Sequence, residues 1–284
     1  MALFNFKRKS VTPETDNRQK RGIVRYFEIV FTRFSKFVLL NLVYFLCLVP
    51  AICGVSTILC LLIDNPELID KIYFLKVYFI LSEKVLSFFP PLALGLFGLS
   101  LLAYGPLTAG LTFCVRNLAT GRHIWISDLF SRAKSNLKQG LALGIIDIVV
   151  FFSLLLYITA DLSAMQGSAL SMYKALKVIS IIISILYIWV RFYTYSMAVT
   201  FELPIRDIFK NSFIFLVLGF FKNILALIVG FIIISSFVST RIIDIILIGV
   251  LIFSISRFTS VFCTYPIIDK YMLQVKEKED NCGE

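Results

Sequence analysis

The chain has 284 residues, of which 58% are hydrophobic, 15% aromatic and only 16% charged, and its mean hydropathy is +0.87. Soluble domains run near 45–50% apolar and about 25% charged, so this composition excludes an ordinary soluble fold. The formal net charge of +10 does not imply nucleic acid: the basic residues sit at the N-terminus and in short stretches between apolar runs, which suits orientation against anionic lipid headgroups. Several apolar runs reach the roughly 20 residues that span a bilayer. They are continuous rather than alternating, which selects helices over a closed barrel. The expected class is therefore an all-α polytopic membrane protein with about six transmembrane helices.

Residues 1–20 are polar and mixed in charge, carry Pro13 and show no apolar period, so they read as a disordered tail. Lys7, Arg8 and Lys9 lead into no apolar stretch, and a removable signal peptide is not expected. Over 21–37, Ile23, Phe27, Val30, Phe34 and Phe37 recur at helical spacing while Arg25, Glu28, Arg33 and Lys36 fall largely elsewhere on the wheel. This describes a basic amphipathic helix on the membrane surface or, equally, an extension of the first span packed on other loops.

The transmembrane domain is drawn over 38–265, with spans at 38–63, 86–115, 139–160, 175–200, 212–238 and 243–263. Pro50 should kink the first span. Gly105 and Pro106 should break the second near its end, because proline removes a donor and collides with the preceding turn; they form a candidate hinge, with a plain kink as the simpler use. Two connecting segments, 124–138 and 204–211, read as amphipathic helices that each lead into the next span. Ser127 would cap the first, with Asp128 in its first turn. Ile126, Asp128, Leu129, Phe130 and Gly140 match Ile205, Asp207, Ile208, Phe209 and Gly219 at constant offset, which raises an internal duplication or a chance likeness between low-diversity sequences. Residues 266–284 are a polar tail.

Lysine and arginine distribution orients the chain. The N-terminal segment holds 9, the 116–138 loop 5, the 201–211 loop 2 and the tail 3, against 3, 2 and 1 in the loops on the other side. The positive-inside rule then puts both termini in the cytoplasm.

Along this framework lie Lys20-Arg21-Gly22, Tyr26-Phe27-Glu28, Asn41-Leu42, Pro50, Gly105-Pro106, Thr108-Ala109-Gly110-Leu111 and Arg116-Asn117. Trp125, Asp128, Lys138-Gln139, Thr200-Phe201-Glu202, Lys210-Asn211-Ser212 and Tyr265-Pro266 follow. In this order the set resembles the YesL-like family of bacterial membrane proteins, a family of unknown function, over nearly the whole chain beyond residue 20. The family pattern places the Gly-Pro motif soon after the first span, whereas here about one extra hairpin's worth of sequence intervenes. The resemblance implies a multi-pass protein of the bacterial cytoplasmic membrane, non-catalytic and associated with carbohydrate uptake systems. It implies no catalytic or ligand residues.

The ionisable residues within the spans carry the sharpest chemistry. Asp147 lies about 12 Å along its helix from Gln139, and Arg191, Lys222 and Arg257 fall at comparable depths. Each charge costs at least ~2.5–3.5 kcal/mol to insert, so the four should face the bundle and pair. Either Asp147 pairs with Arg191 or Arg257 as a structural layer, with Lys222 snorkelling, or the excess basic groups line an aqueous cavity and attract an anion. On the connecting segment, Arg116, Arg122, Trp125, Asp128 and Arg132 form a candidate docking surface, because tryptophan and arginine dominate interface hot spots.

No catalytic pattern is present. The only histidine is His123, the six cysteines show no CxxC spacing, and no HExxH, Walker or GxSxG motif occurs. Neither a cofactor nor a metal site is expected. Two functions remain: an accessory or regulatory subunit, with a sugar ABC transporter as the expected partner, or a small-solute or anion transporter or channel built on the charged layer.

Overall fold

A computed structural model of the chain describes residues 7–8, 22–62, 80–84, 90–159, 167–237 and 248–273. The apolar runs form helices, as they must where no water is present to satisfy a backbone. In chain order these are α1 (Ile23–Thr32), α2 (Phe34–Leu62), α3 (Pro90–Ala119), α4 (Ile126–Ser135) and α5 (Leu137–Thr159). They continue with α6 (Ser168–Thr200), α7 (Ile205–Leu218), α8 (Phe220–Phe237) and α9 (Phe253–Ile268), the last flanked by π-helical turns at Ile248–Ile252 and Asp269–Leu273. Five helices are long and apolar enough to cross a membrane, and the pair α7–α8, bent by 89° at its break, brings the number to as many as six.

Among the described residues these helices fall into three units of the same plan: a short helix, an outer helix, then an inner helix. The short and outer helices meet at single-residue elbows, Arg33, Asn136 and Gly219. Their φ/ψ pairs are −116/21, −105/21 and −99/13 degrees, close to one another. In each elbow the N–H donates to the carbonyl four residues back (3.0, 3.1 and 2.8 Å), and the elbow carbonyl accepts from the residue four ahead, Phe37, Gly140 or Asn223 (3.3, 2.7 and 2.9 Å). Hydrogen bonding thus continues across the bend, and few backbone groups are orphaned in an apolar setting.

The inner helices α3, α6 and α9 pack against one another in all three pairs. Helix α2 lies on α3 and α9, and α5 lies on α3 and α6. Helix α8 lies on α9 and reaches α6 through Tyr193 Oη, which donates to Asn223 Oδ1 at 2.7 Å. Each short helix rests on the inner helix of the preceding unit: α4 on α3 and α7 on α6. Helix α1 closes the cycle on α9, where Tyr26 bonds Thr259 at 2.7 Å and packs on Phe258 and Phe262. The 126–140 and 205–219 segments thus share one helix–elbow–helix geometry, and 23–37 repeats it.

Two glycine contacts fix the spacing of the layers. A Cβ on Gly105 would fall on the Gly140 carbonyl oxygen, and one on Gly144 would sit 2.7 Å from the Gly105 Cα, so α3 and α5 cross backbone to backbone. A Cβ on Gly110 would likewise meet the Leu129 carbonyl, which seats α4 on α3.

Several expectations change. Helix α3 runs unbroken through Pro106; Gly105 and Pro106 are buried as a packing surface rather than freed as a hinge. The span expected at 212–238 is instead broken at Gly219, where α7 and α8 meet at 89°, and Phe213, Ile214, Val217 and Leu218 belong to the shorter helix, where they are exposed. Within the tail assigned to 1–20, Lys7–Arg8 form an antiparallel pair with Phe201–Glu202, whose backbone is held extended ahead of Pro204. The tail assigned to 266–284 starts later, since helical structure with Ile267, Ile268 and Met272 buried continues to Leu273. Ser127 is not the cap of α4. Trp125 holds that position, and the Asp128 carboxylate accepts its N–H at 2.8 Å.

Candidate functional site

Three of the four charged residues expected in one layer meet there. Arg191 Nε on α6 donates to Asp147 Oδ2 on α5 at 2.8 Å. Two tyrosines of α6 complete the carboxylate: Tyr187 Oη donates to Oδ1 at 2.7 Å and Tyr195 Oη to Oδ2 at 2.8 Å. The Arg191 Nη2 donates to Tyr104 Oη on α3. Helical spacing explains this convergence, because 187, 191 and 195 are successive i, i+4 positions on one stripe of α6. The carboxylate is buried, yet it receives three donors and one opposite charge, the arrangement that makes a charge tolerable in low dielectric.

Arg257 enters the same layer from α9 without joining that pair. Its Cζ sits 4.8 Å from the Tyr195 ring centroid, and the Arg191 Cζ sits 5.3 Å from the same ring. Only 7% of Arg257 is exposed, and its Nη2 has no hydrogen-bond partner. Tyr44 of α2 bonds Thr108 on α3 at 2.8 Å, and Tyr104 of α3 bonds Arg191. All three units therefore contribute to one layer, and its charged members are one carboxylate and two guanidinium groups. The Arg191 side chain, 20% exposed, forms its rim.

Lys222 does not belong to the layer. With α8 beginning at Phe220, it occupies the first turn after the elbow and is exposed there. The depth inferred from a span beginning at 212 was too great by the length of the α7 segment that turns aside.

On the inner faces of α3, α6 and α9, buried hydroxyls continue away from the layer. Thr108, Thr112, Ser196, Thr200, Ser260 and Thr264 each donate to a carbonyl three or four residues earlier in their own helix. This stripe satisfies its own donors without a partner helix and leaves oxygen lone pairs in the interior.

The candidate docking residues separate sharply. Trp125 is 67% exposed, with Lys36 Nζ 5.9 Å from its ring centroid and the His123 ring at 5.1 Å. Arg116, by contrast, is 2% exposed: its Nη1 donates to Thr200 Oγ1 at 2.8 Å and links the ends of α3 and α6. Arg132 is half-buried over Phe113 at 4.4 Å, and Asp128 is engaged with the α4 N-terminus. Arg122, also half-buried, offers its backbone carbonyl to Arg33 Nη1 at 2.6 Å, while Gly121 accepts from Arg33 Nη2 at 2.9 Å. Arg33 thus pins the turn that carries Trp125. Arg116 is therefore corrected from a surface to a packing residue, because it is buried over the Phe113 ring.

Sequence reasoning missed the tyrosine ligands of Asp147 and the glycine crossing. The signals were present: Tyr187, Arg191 and Tyr195 at i, i+4, i+8, and Gly140 and Gly144 at the small-xxx-small spacing of close helix pairs. Among the described residues no group of three His, Cys, Asp or Glu is placed to hold a metal ion. No protein-family model, curated protein or solved structure matches the chain.

Proposed function

We propose that this helical membrane protein is a non-catalytic accessory subunit of the bacterial cytoplasmic membrane, with both termini inside, that docks on a carbohydrate ABC transporter through its elbow-bearing face. The observation that carries the proposal is Trp125: a large aromatic, two-thirds exposed, on a turn clamped by Arg33 and seated on α3 by backbone contact at Gly110. A preorganised aromatic with adjacent cations is the usual composition of an interface hot spot. The resemblance to the YesL-like family supports the partner class, and the positive-inside distribution supports the orientation.

The test is purification of the tagged full chain from its native membrane in mild detergent after brief crosslinking, beside a Trp125→Ala version. Transporter subunits recovered with the wild type and lost with Trp125→Ala are the expected outcome. Equal recovery from both, or recovery of neither, removes the docking proposal. A second reading, movement of a small solute or anion through the charged layer, is favoured by one observation: Arg257 is buried there with an unpartnered nitrogen.

A further inference from the structure

We infer that the layer where the three units meet is a binding site for one small monovalent anion, of the size of a halide or nitrate, held by the Arg257 guanidinium against the Tyr195 ring. This rests on the second reading only for location; binding does not require transport.

The argument begins with charge. Asp147 and Arg191 neutralise each other at 2.8 Å, and two tyrosine hydroxyls donate to the same carboxylate. Arg257 brings a further positive charge to the same ring. No carboxylate lies within ion-pairing distance of it among the described residues, and its Nη2 makes no hydrogen bond. An unpaired buried guanidinium loses its solvation, and arginine does not escape by deprotonation. The stacking on Tyr195 offsets only part of that loss. An anion removes the deficit, and a monovalent one brings the layer to neutrality.

Geometry agrees with charge. The guanidinium is a planar fork suited to an anion on its open edge. The Tyr104 hydroxyl, bonded to Arg191, borders the same layer. The position also suits a ligand site, since many secondary transporters built from internal repeats bind their solutes where the repeats meet.

The experiment uses the full chain in zwitterionic nanodiscs and compares gluconate with chloride or nitrate at equal ionic strength. Thermal unfolding and the chloride NMR linewidth are the binding readouts. Chloride should raise the midpoint by several degrees and broaden the chloride line, and Arg257→Gln should lose both responses. In gluconate Arg257→Gln should melt higher than wild type, because it lacks the uncompensated charge. Lys222→Gln, a basic residue outside the layer, should respond as wild type does. If Arg257→Gln does not fold, Arg257→Met, which fills similar volume without a charge, is read in the same way.

A wild type with no chloride response overturns the site, as does a response that survives both Arg257 variants. Halide flux into dye-loaded liposomes is measured separately. Binding with flux supports both the site and the transport reading, whereas binding without flux keeps the site as a bound counter-ion and ends the transport reading.

Discussion

Asp147 shows how few residues are needed to make a charge acceptable inside a membrane bundle. Its two oxygens receive Arg191, Tyr187 and Tyr195, and Arg191 is in turn anchored to Tyr104. Removing one member leaves the others without compensation. Asp147→Asn should therefore lower stability by about 3 kcal/mol, the scale of an uncompensated buried ion, read as an earlier unfolding midpoint when mild detergent is titrated with a denaturing one. Asp147→Asn combined with Arg191→Gln should recover part of that loss. A single variant as stable as wild type would show that the pair is solvated and contributes nothing. The sequence made the acid and its basic candidates visible, because charges are rare inside apolar runs. It did not reveal that Arg191 rather than Arg257 would be the partner, since both lie within reach by depth and only helix rotation separates them.

At the scale of elements, the three elbows and the glycine crossing determine where everything else sits. Gly140→Leu should force α3 and α5 apart and cost at least ~1–3 kcal/mol by overpacking, seen as a lowered melting midpoint or aggregation on size exclusion. Gly95→Leu and Gly98→Leu, where an added Cβ would meet nothing within 4 Å, should behave as wild type; equal damage at all three positions would remove the crossing as the cause. Gly219→Ala tests the third elbow, where a Cβ would stand 2.6 Å from Ile267 Cδ1. It should lower the melting midpoint while Gly121→Ala, in a turn with nothing within 4 Å but φ at +83°, costs only about the 1 kcal/mol of left-handed backbone. The helices themselves were legible from apolar length. The 89° bend was not, because Phe213 to Leu218 are as apolar as a spanning segment and hydropathy does not distinguish lying along an interface from crossing it.

For the whole molecule, three units in cyclic order place every short helix at one end of the bundle. Since α1, α4 and α7 share that end, one topology measurement orients all of them. A fluorescent protein fused after Glu284 should be bright if that end is cytoplasmic, as the lysine and arginine distribution requires, whereas periplasmic alkaline phosphatase fused at the same point should be inactive. The reverse pattern inverts the orientation and moves Trp125 outside, which removes the transporter-docking proposal with it.

Composition and apolar run length by themselves determined the class, the number of spans to within one, and the rarity of the buried charges. These follow from hydration, which each residue carries with it wherever it sits. Contact partners were decided only in three dimensions: Asp147 with three donors, Gly105 against Gly140 and Gly144, and Arg116 turned inward to Thr200. Such pairings depend on the rotation of each helix about its axis and on its neighbours, and a rotation of one residue step, about 100°, turns a lipid-facing side chain into a buried one.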